Sequence, residues 1–362
     1  MKKLYFFIMG FLTGVVVWGC GDKDRFLFNQ VPATPLLNVE TKVLIKDASI
    51  INVRLDSTNV IRGFSTSNFF TTSNQFQNFS YNGVSLPTTK LAPYSYNRNT
   101  VVIASGTSAA PVLYYSIDYG NTFTAVTPTF NPVISTTGFY TTDLVCASFI
   151  DSNTLMLAYQ QKAYTTADSR KFYKLNLTTK VATRIVYFDD AFYPVNIKFT
   201  DYRTGYMLLY RNASYATFIT KTLDTGRTWS TPVEIAKRVI TGLQTGTKGT
   251  LCATEDFGKA YMSVDSGKTW KQPTTELKLT DAFMLNQSVI FGMDSSTLWK
   301  SIDTGVTWNT VPSTNSEFQN MKKLHFQDDQ NGIIYGGQKL YITADGGSSW
   351  KVLLYPYSYI NE

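Results

Sequence analysis

The sequence predicts an all-β chain, folded as a seven-bladed β-propeller of four-stranded antiparallel blades. Three observations predict it. One eight-residue pattern recurs five times along the 362 residues. The last three steps between copies are 41, 38 and 42 residues. No stretch after residue 30 has helical periodicity. A period of about 40 residues, with turn chemistry at a fixed offset, marks a repeated unit of four strands.

The pattern reads Ser/Thr-x-Asp-x-Gly-x-Thr/Ser-aromatic, and its copies begin at Ser116, Thr222, Ser263, Ser301 and Thr343. The acidic positions are Asp118, Asp224, Asp265, Asp303 and Asp345. The glycines are Gly120, Gly226, Gly267, Gly305 and Gly347. The closing aromatics are Phe123, Trp229, Trp270, Trp308 and Trp350. Each part has a physical reason. The carboxylate can accept backbone N–H bonds just ahead of it and close an Asx-type turn. Glycine takes positive φ at the reversal, which costs other residues. The flanking hydroxyls can tie the two strand ends. The aromatic is large enough to fill a gap between neighbouring sheets.

These five copies resemble the Asp-box, or bacterial neuraminidase repeat, of sialidases, sortilin-type receptors and the photosystem II assembly factor family. The resemblance implies a propeller whose boxes sit on the turn between the third and fourth strands of each blade, away from the active face. Because those families span enzymes, receptors and assembly factors, it specifies fold far more than function. It implies structural rather than catalytic roles for the five Asp residues.

The blade count follows from spacing. Thr222 lies 106 residues after Ser116, too far for one blade. Between them, residues 172–180 read as a strand and turn without Asp-Gly, a degenerate repeat. Upstream, Thr72, Asn74 and Phe79 keep the hydroxyl, an Asn in the acidic position and the aromatic, 44 residues before Ser116. Turns are therefore expected near residues 74, 118, 177, 224, 265, 303 and 345. A second repeat, Phe-x-Asp-x-x-x-Gly, occurs at Phe199–Gly205 and Phe326–Gly332, with a partial copy at Phe149–Asp151. Each full copy precedes an apolar run, which places it between the first and second strands of a blade. The last blade reads as strands at 323–328, 332–336, 339–343 and 350–355. Residues 40–48 read as one more strand, of unassigned partner.

The start of the chain carries a separate message. Lys2 and Lys3 precede an apolar run from Leu4 to Trp18, followed by Gly19 and Cys20. That is the layout of a secretory signal, too short for a membrane-spanning helix. Residues 16–20 resemble the bacterial lipobox, with Trp18 bulkier than usual there. The resemblance implies that Cys20 is lipid-modified and anchors the protein, with more than one acyl chain for a stable hold. The charged cluster 21–25 resembles the export tag of surface lipoproteins in Bacteroidota. Cell-surface and periplasm-facing outer-membrane placements both stand. The organisation expected is a signal peptide over 1–19, a lipidated N-terminus and tether over 20–40, and the propeller over 41–362.

Composition narrows the function. The formal charge of +7 falls to +5 once Lys2 and Lys3 leave with the signal. No run of five basic residues exists, so nucleic acid is not an expected partner. Aromatics make up 15% of the chain, which suits β-sheets and also sugar- or protein-contact surfaces. Cys146 and Cys252 fall in the third and fifth blades, too far apart to bridge, and are expected as buried free thiols. The single histidine, His325, sits on an apolar strand and reads as structural. No Cys/His cluster has metal-ligand spacing, no phosphate loop or nucleophile motif is present, and neither metal nor cofactor is expected.

Sialidase chemistry, as the resemblance implies it, needs three arginines to clamp the substrate carboxylate, one of them late in the chain. No arginine follows Arg238. Ile61-Arg62-Gly63 lacks the proline of the family's Arg-Ile-Pro element. The acidic pairs Asp189-Asp190, Glu255-Asp256 and Asp328-Asp329 are adjacent, so on a strand they would point to opposite faces. Xyloglucan-degrading relatives pair two propellers, and this chain has room for one. The expectation is a non-enzymatic, lipid-anchored binding or assembly propeller, with no catalytic residue and a protein or glycan partner. A glycan-handling lipoprotein with glycoside hydrolase activity is the alternative.

Overall fold

The protein is described by a computed structural model over residues 50–354, apart from 58–59, 66–68, 74–77, 83–91, 97–100, 106–111, 119–121, 134–138, 164–168, 186–190, 256–257, 275–276, 295, 313–320 and 337–338. The expected lipidation site Cys20, the expected tether, the strand expected at 40–48, Asn74, Gly120 and Asp189-Asp190 therefore lie outside the described residues. Within them the regular structure is all strand, apart from two one-turn 3-10 segments.

The strands form seven sheets. Blades 1 to 7 span residues 50–82, 92–126, 129–185, 192–236, 240–271, 281–311 and 323–354. The first strands of the blades are Ile50–Ser57, Ala92–Tyr96, Phe139–Asp151, Phe192–Phe199, Ile240–Thr245, Asp281–Met284 and Lys323–Phe326. Each touches the first strand of the next blade, and that of blade 7 touches that of blade 1, so the ring closes at its hub. Arranged radially, the sheets keep only short, protected edges.

Five of the sheets are four antiparallel strands in sequence order. Two depart from that plan. Blade 5 has three paired strands, and an isolated bridge between Met262 and Lys271 stands in for the fourth. Blade 3 has five, because Thr129–Asn131 pairs in parallel with its outer strand Val181–Ile185. That edge strand has a packing reason. Blade 3 lacks a box aromatic, and Phe130 is delivered in its place. The Phe130 ring meets Tyr173 at 4.8 Å and Tyr159 at 5.5 Å, both edge-on, inside the apolar cluster shared with blade 2. Elsewhere the box tryptophan fills the same kind of seam. Trp229, Trp270, Trp308 and Trp350 each pack in the cluster between their own blade and the preceding one.

In blade 7 the strands are Lys323–Phe326, Gly332–Gly336, Lys339–Thr343 and Lys351–Leu354. The first is shorter than its sequence suggests, because Asp328 belongs to the turn, where it accepts the N–H bonds of Gln330 and Asn331 at 2.9 and 2.6 Å. Asp201 does the same for Arg203 and Thr204 in blade 4. The glycines that close these turns leave room for the Phe ring that opens them. A Cβ on Gly205 would meet the Phe199 ring at 2.7 Å.

The box glycines serve a second purpose, between blades. A Cβ on Gly305 would meet Met262 Cγ of blade 5 at 2.7 Å, and one on Gly267 would meet Ile219 of blade 4 at 3.1 Å. On Gly226 it would overlap the Met156 methyl of blade 3, and on Gly347 a Leu298 methyl of blade 6. Each box is thus a turn pressed against the blade before it. Gly226→Ala, which adds both a backbone strain at φ +77° and this overlap, is expected to lower stability by about 2–4 kcal/mol in urea unfolding. A loss below about 0.5 kcal/mol would show that the contact is not tight.

Candidate functional site

The box carboxylates are engaged within their own turns. In all five, the first hydroxyl donates to Asp Oδ1 at 2.7–2.9 Å. The later Thr or Ser donates its N–H to Oδ1 at 2.8–2.9 Å and its hydroxyl to Oδ2 at 2.5–2.7 Å. In four boxes the glycine N–H returns a bond to the first hydroxyl at 2.8–2.9 Å. The tryptophan Nε1–H donates to the glycine carbonyl at 2.9–3.1 Å. Phe123, with no N–H to offer, has no such bond. Gly120 falls in a segment outside the described residues.

One feature of the turn escaped the sequence. The residue before the glycine also adopts the left-handed conformation: Thr225, Ser266 and Thr304 all have φ near 63°, and Gly346 has φ 71°. Only Gly346 hints at it in the sequence. The same residue donates its N–H to the first turn of its blade, as Thr225 does to the Arg203 carbonyl at 3.0 Å and Gly346 to Gln330 at 2.8 Å. Boxes and first turns therefore share one end of the ring.

Slight burial raises these carboxyls, but the hydroxyl and backbone donors outweigh it. Asp224 and Asp265 are drawn from 3.8 down to about 2. A folded-state value below the unfolded one stabilises the fold above about pH 4, and that contribution is lost as pH falls toward 2. Asp265→Asn is expected to lower stability at neutral pH and to flatten the stability profile between about pH 4 and 2. Urea midpoints measured across that range decide it. An unchanged slope would mean that the latch is not charge-dependent.

The box end also carries most of the exposed bulk. Of the nine large apolar side chains exposed among the described residues, six lie there: Ile117, Tyr202, Leu223, Val264, Ile302 and Val306. Four of them occupy the same box position, just before the Asp. Exposed Arg203, Arg227, Lys248 and Lys268 stand among them.

At the hub, the first strands hold a polar chain. Asp281 is buried and accepts Lys323 Nζ at 2.9 Å and the Leu324 N–H at 3.1 Å. Burial pushes its carboxyl up, and the Lys323 charge draws it only partly back. Lys198 donates to Gln244 at 3.1 Å. His325 packs on the Phe283 ring at 4.5 Å. Among the described residues, no three His, Cys, Asp or Glu side chains are placed to hold a metal.

Cys146 and Cys252 are free and buried, in blades 3 and 5. Burial, with the Asp281 charge adding to it, pushes the Cys252 thiol up to about 12, and burial alone pushes Cys146 up. With so little thiolate, Cys252 should react with a maleimide at pH 8 on the order of a thousandfold more slowly than an ordinary thiol, and normally once urea unfolds the chain. Rapid native labelling would contradict the burial.

Between blades 3 and 4 lies a groove of about 530 Å³, lined by Thr154, Lys174, Asn176, Thr179, Val181, Thr183, Ile185 and Arg227. Lys174 donates to Thr225 Oγ1 across the seam at 3.1 Å. Farther along the same seam, the Arg170 guanidinium lies 3.3 Å above the Tyr193 ring.

The architecture recurs in known proteins. The family profile described as "Sortilin, neurotensin receptor 3" matches residues 258–359, the last part of the ring. No curated protein matches the chain. Among solved structures, YCF48 from Cyanidioschyzon merolae is similar over 84% of this chain and 97% of that one, with a TM-score of 0.56 and 13% identity. YCF48 bound to D1 peptide is similar over 88% and 95%, with a TM-score of 0.55 and 14% identity. The GH74 xyloglucanase from Xanthomonas campestris is similar over 84% of this chain but 54% of its own, with a TM-score of 0.58 and 11% identity. The chain thus spans about half of that enzyme. Identities this low carry the fold alone: this is a β-propeller built like those proteins.

Proposed function

We propose that the protein is a non-enzymatic binding or assembly propeller of the bacterial envelope, anchored through a lipid on Cys20, which docks a protein partner on its box face, the end opposite the one that the Asp-box resemblance marks as active. The observation that carries this reading is the ring of exposed aliphatic tips at one repeated position. Ile117, Leu223, Val264 and Ile302 are 58%, 59%, 61% and 67% exposed, although a turn of this kind needs no bulk there. Apolar tips among cations fit a protein surface that is partly apolar and partly acidic. The neighbour YCF48 is known with a bound peptide, which supports peptide or protein binding by such a ring. The second reading is glycan handling, favoured by the polar groove between blades 3 and 4 and by the xyloglucanase likeness in fold.

The test is co-purification from cross-linked envelopes. The double variant Val264→Asp/Ile302→Asp should fold with an unchanged Tm, because both side chains are exposed, yet lose the partner at least tenfold. Partner recovery equal to wild type would remove the box face from the reading. Turnover of any glycan by the purified protein would replace it with the hydrolase alternative.

A further inference from the structure

We propose that the groove between blades 3 and 4 is a binding site for an acidic saccharide unit, a sugar bearing a carboxylate. This rests on the second reading above, glycan recognition, and gives it a place and a chemistry.

The groove arises from the register of blade 3. On the sheet face turned to blade 4, residues stand in rows across the strands. The row Ala158, Phe172, Ile185 is apolar and packs on the blade 4 cluster of Ile197, Met207 and Leu209. The next row toward the box end is Met156, Lys174, Thr183. The last pairs Thr154 with Asn176. Apolar packing therefore stops partway along the seam, and the outer strands turn polar. Blade 4 closes the open end with its box turn, which brings Arg227 over the gap and holds Lys174 through Thr225. The volume lies within the range of small-ligand clefts, about 300–1,000 Å³.

The lining defines the ligand. Among the described residues it holds two cations and no carboxylate. The one nearby acid in the turn, Asp224, has its oxygens occupied by Thr222 and Thr228. Guanidinium and ammonium together select an anion, and the planar guanidinium fits a carboxylate with two parallel bonds. Thr154 and Thr183 each carry a hydroxyl that donates and accepts, and Asn176, whose Oδ1 is taken by Thr179, carries an amide NH2 donor; these suit ring hydroxyls. A peptide main chain would need a strand edge to pair with. That edge is closed here, since Val181, Ala182 and Thr183 pair with Thr129, Phe130 and Asn131. Val181 and Ile185 give the sugar ring an apolar wall.

Calorimetric titration of the full-length protein in detergent, at low ionic strength, tests the assignment with three probes: trigalacturonate, its methyl ester and triglutamate. Trigalacturonate should bind, and the affinity should fall as salt is raised. Arg227→Ala and Lys174→Met should each weaken it at least tenfold, and Arg227→Lys should restore only part, because lysine lacks the fork. The ester and triglutamate should bind at least tenfold more weakly. No binding of trigalacturonate, equal binding of its ester, tighter binding of triglutamate, or an Arg227→Ala variant that binds as wild type would each overturn it. If saccharide binding fails while Lys174→Met still recovers the envelope partner, the groove assignment falls and the box-face reading stands.

Discussion

The structure depends on one small device, a carboxylate latched by the two hydroxyls of its own turn. The latch holds two consecutive residues in the left-handed conformation, and that geometry presents the glycine outward, edge-on to the preceding blade. Four such turns press on a neighbouring methyl, methylene or sulfur-bearing side chain. The tryptophan that follows returns its N–H to the glycine carbonyl and fills the seam beside it. Turn and interface are therefore one unit. A blade cannot drift outward without opening its own hairpin, which is how a ring closed only by side-to-side contact among the described strands keeps its spacing.

Blade 3 shows what replaces the device when the sequence loses it. Its turn, Asn176–Lys180, is held by Asn176 Oδ1 accepting from the Thr179 N–H at 2.9 Å. Such a turn has no tryptophan and no glycine to send into the seam with blade 2. The chain fills that seam by laying Thr129–Asn131 along the outer edge, so that Phe130 enters among Tyr115, Tyr159 and Tyr173. Aromatic volume is conserved at the seam, although the strand that carries it is different. The same irregular blade bears the polar outer rows that leave a groove against blade 4. A regular repeat would have little reason to vary there, so loss of the repeat and gain of a cavity fall together.

Two surfaces result, with different chemistry. The box end combines aliphatic tips and cations on rigid turns, and rigid presentation limits the entropy lost on docking. The groove sets hydroxyl, amide and cationic side chains beside the apolar Val181 and Ile185. Asp281, Lys323, Lys198 and Gln244 at the hub are largely committed to one another, in keeping with a structural hub.

The repeat period, the turn chemistry and the position of nearly every described hairpin were legible in the sequence, because they are local: Asp, Gly and hydroxyls at fixed offsets dictate a reversal wherever they occur. Even the free thiols followed, since the period alone puts Cys146 and Cys252 in separate blades. What the tertiary structure decided is whatever depends on residues far apart in the chain. The left-handed φ of Thr225, Ser266 and Thr304 is imposed by the turn rather than chosen by the residue. The parallel pairing of Thr129–Asn131 answers a vacancy that exists only once blades 2 and 3 meet. The groove joins Lys174 to Arg227 through a seam no spacing rule describes. Local chemistry wrote the blades; contact between blades determined which surfaces were left exposed.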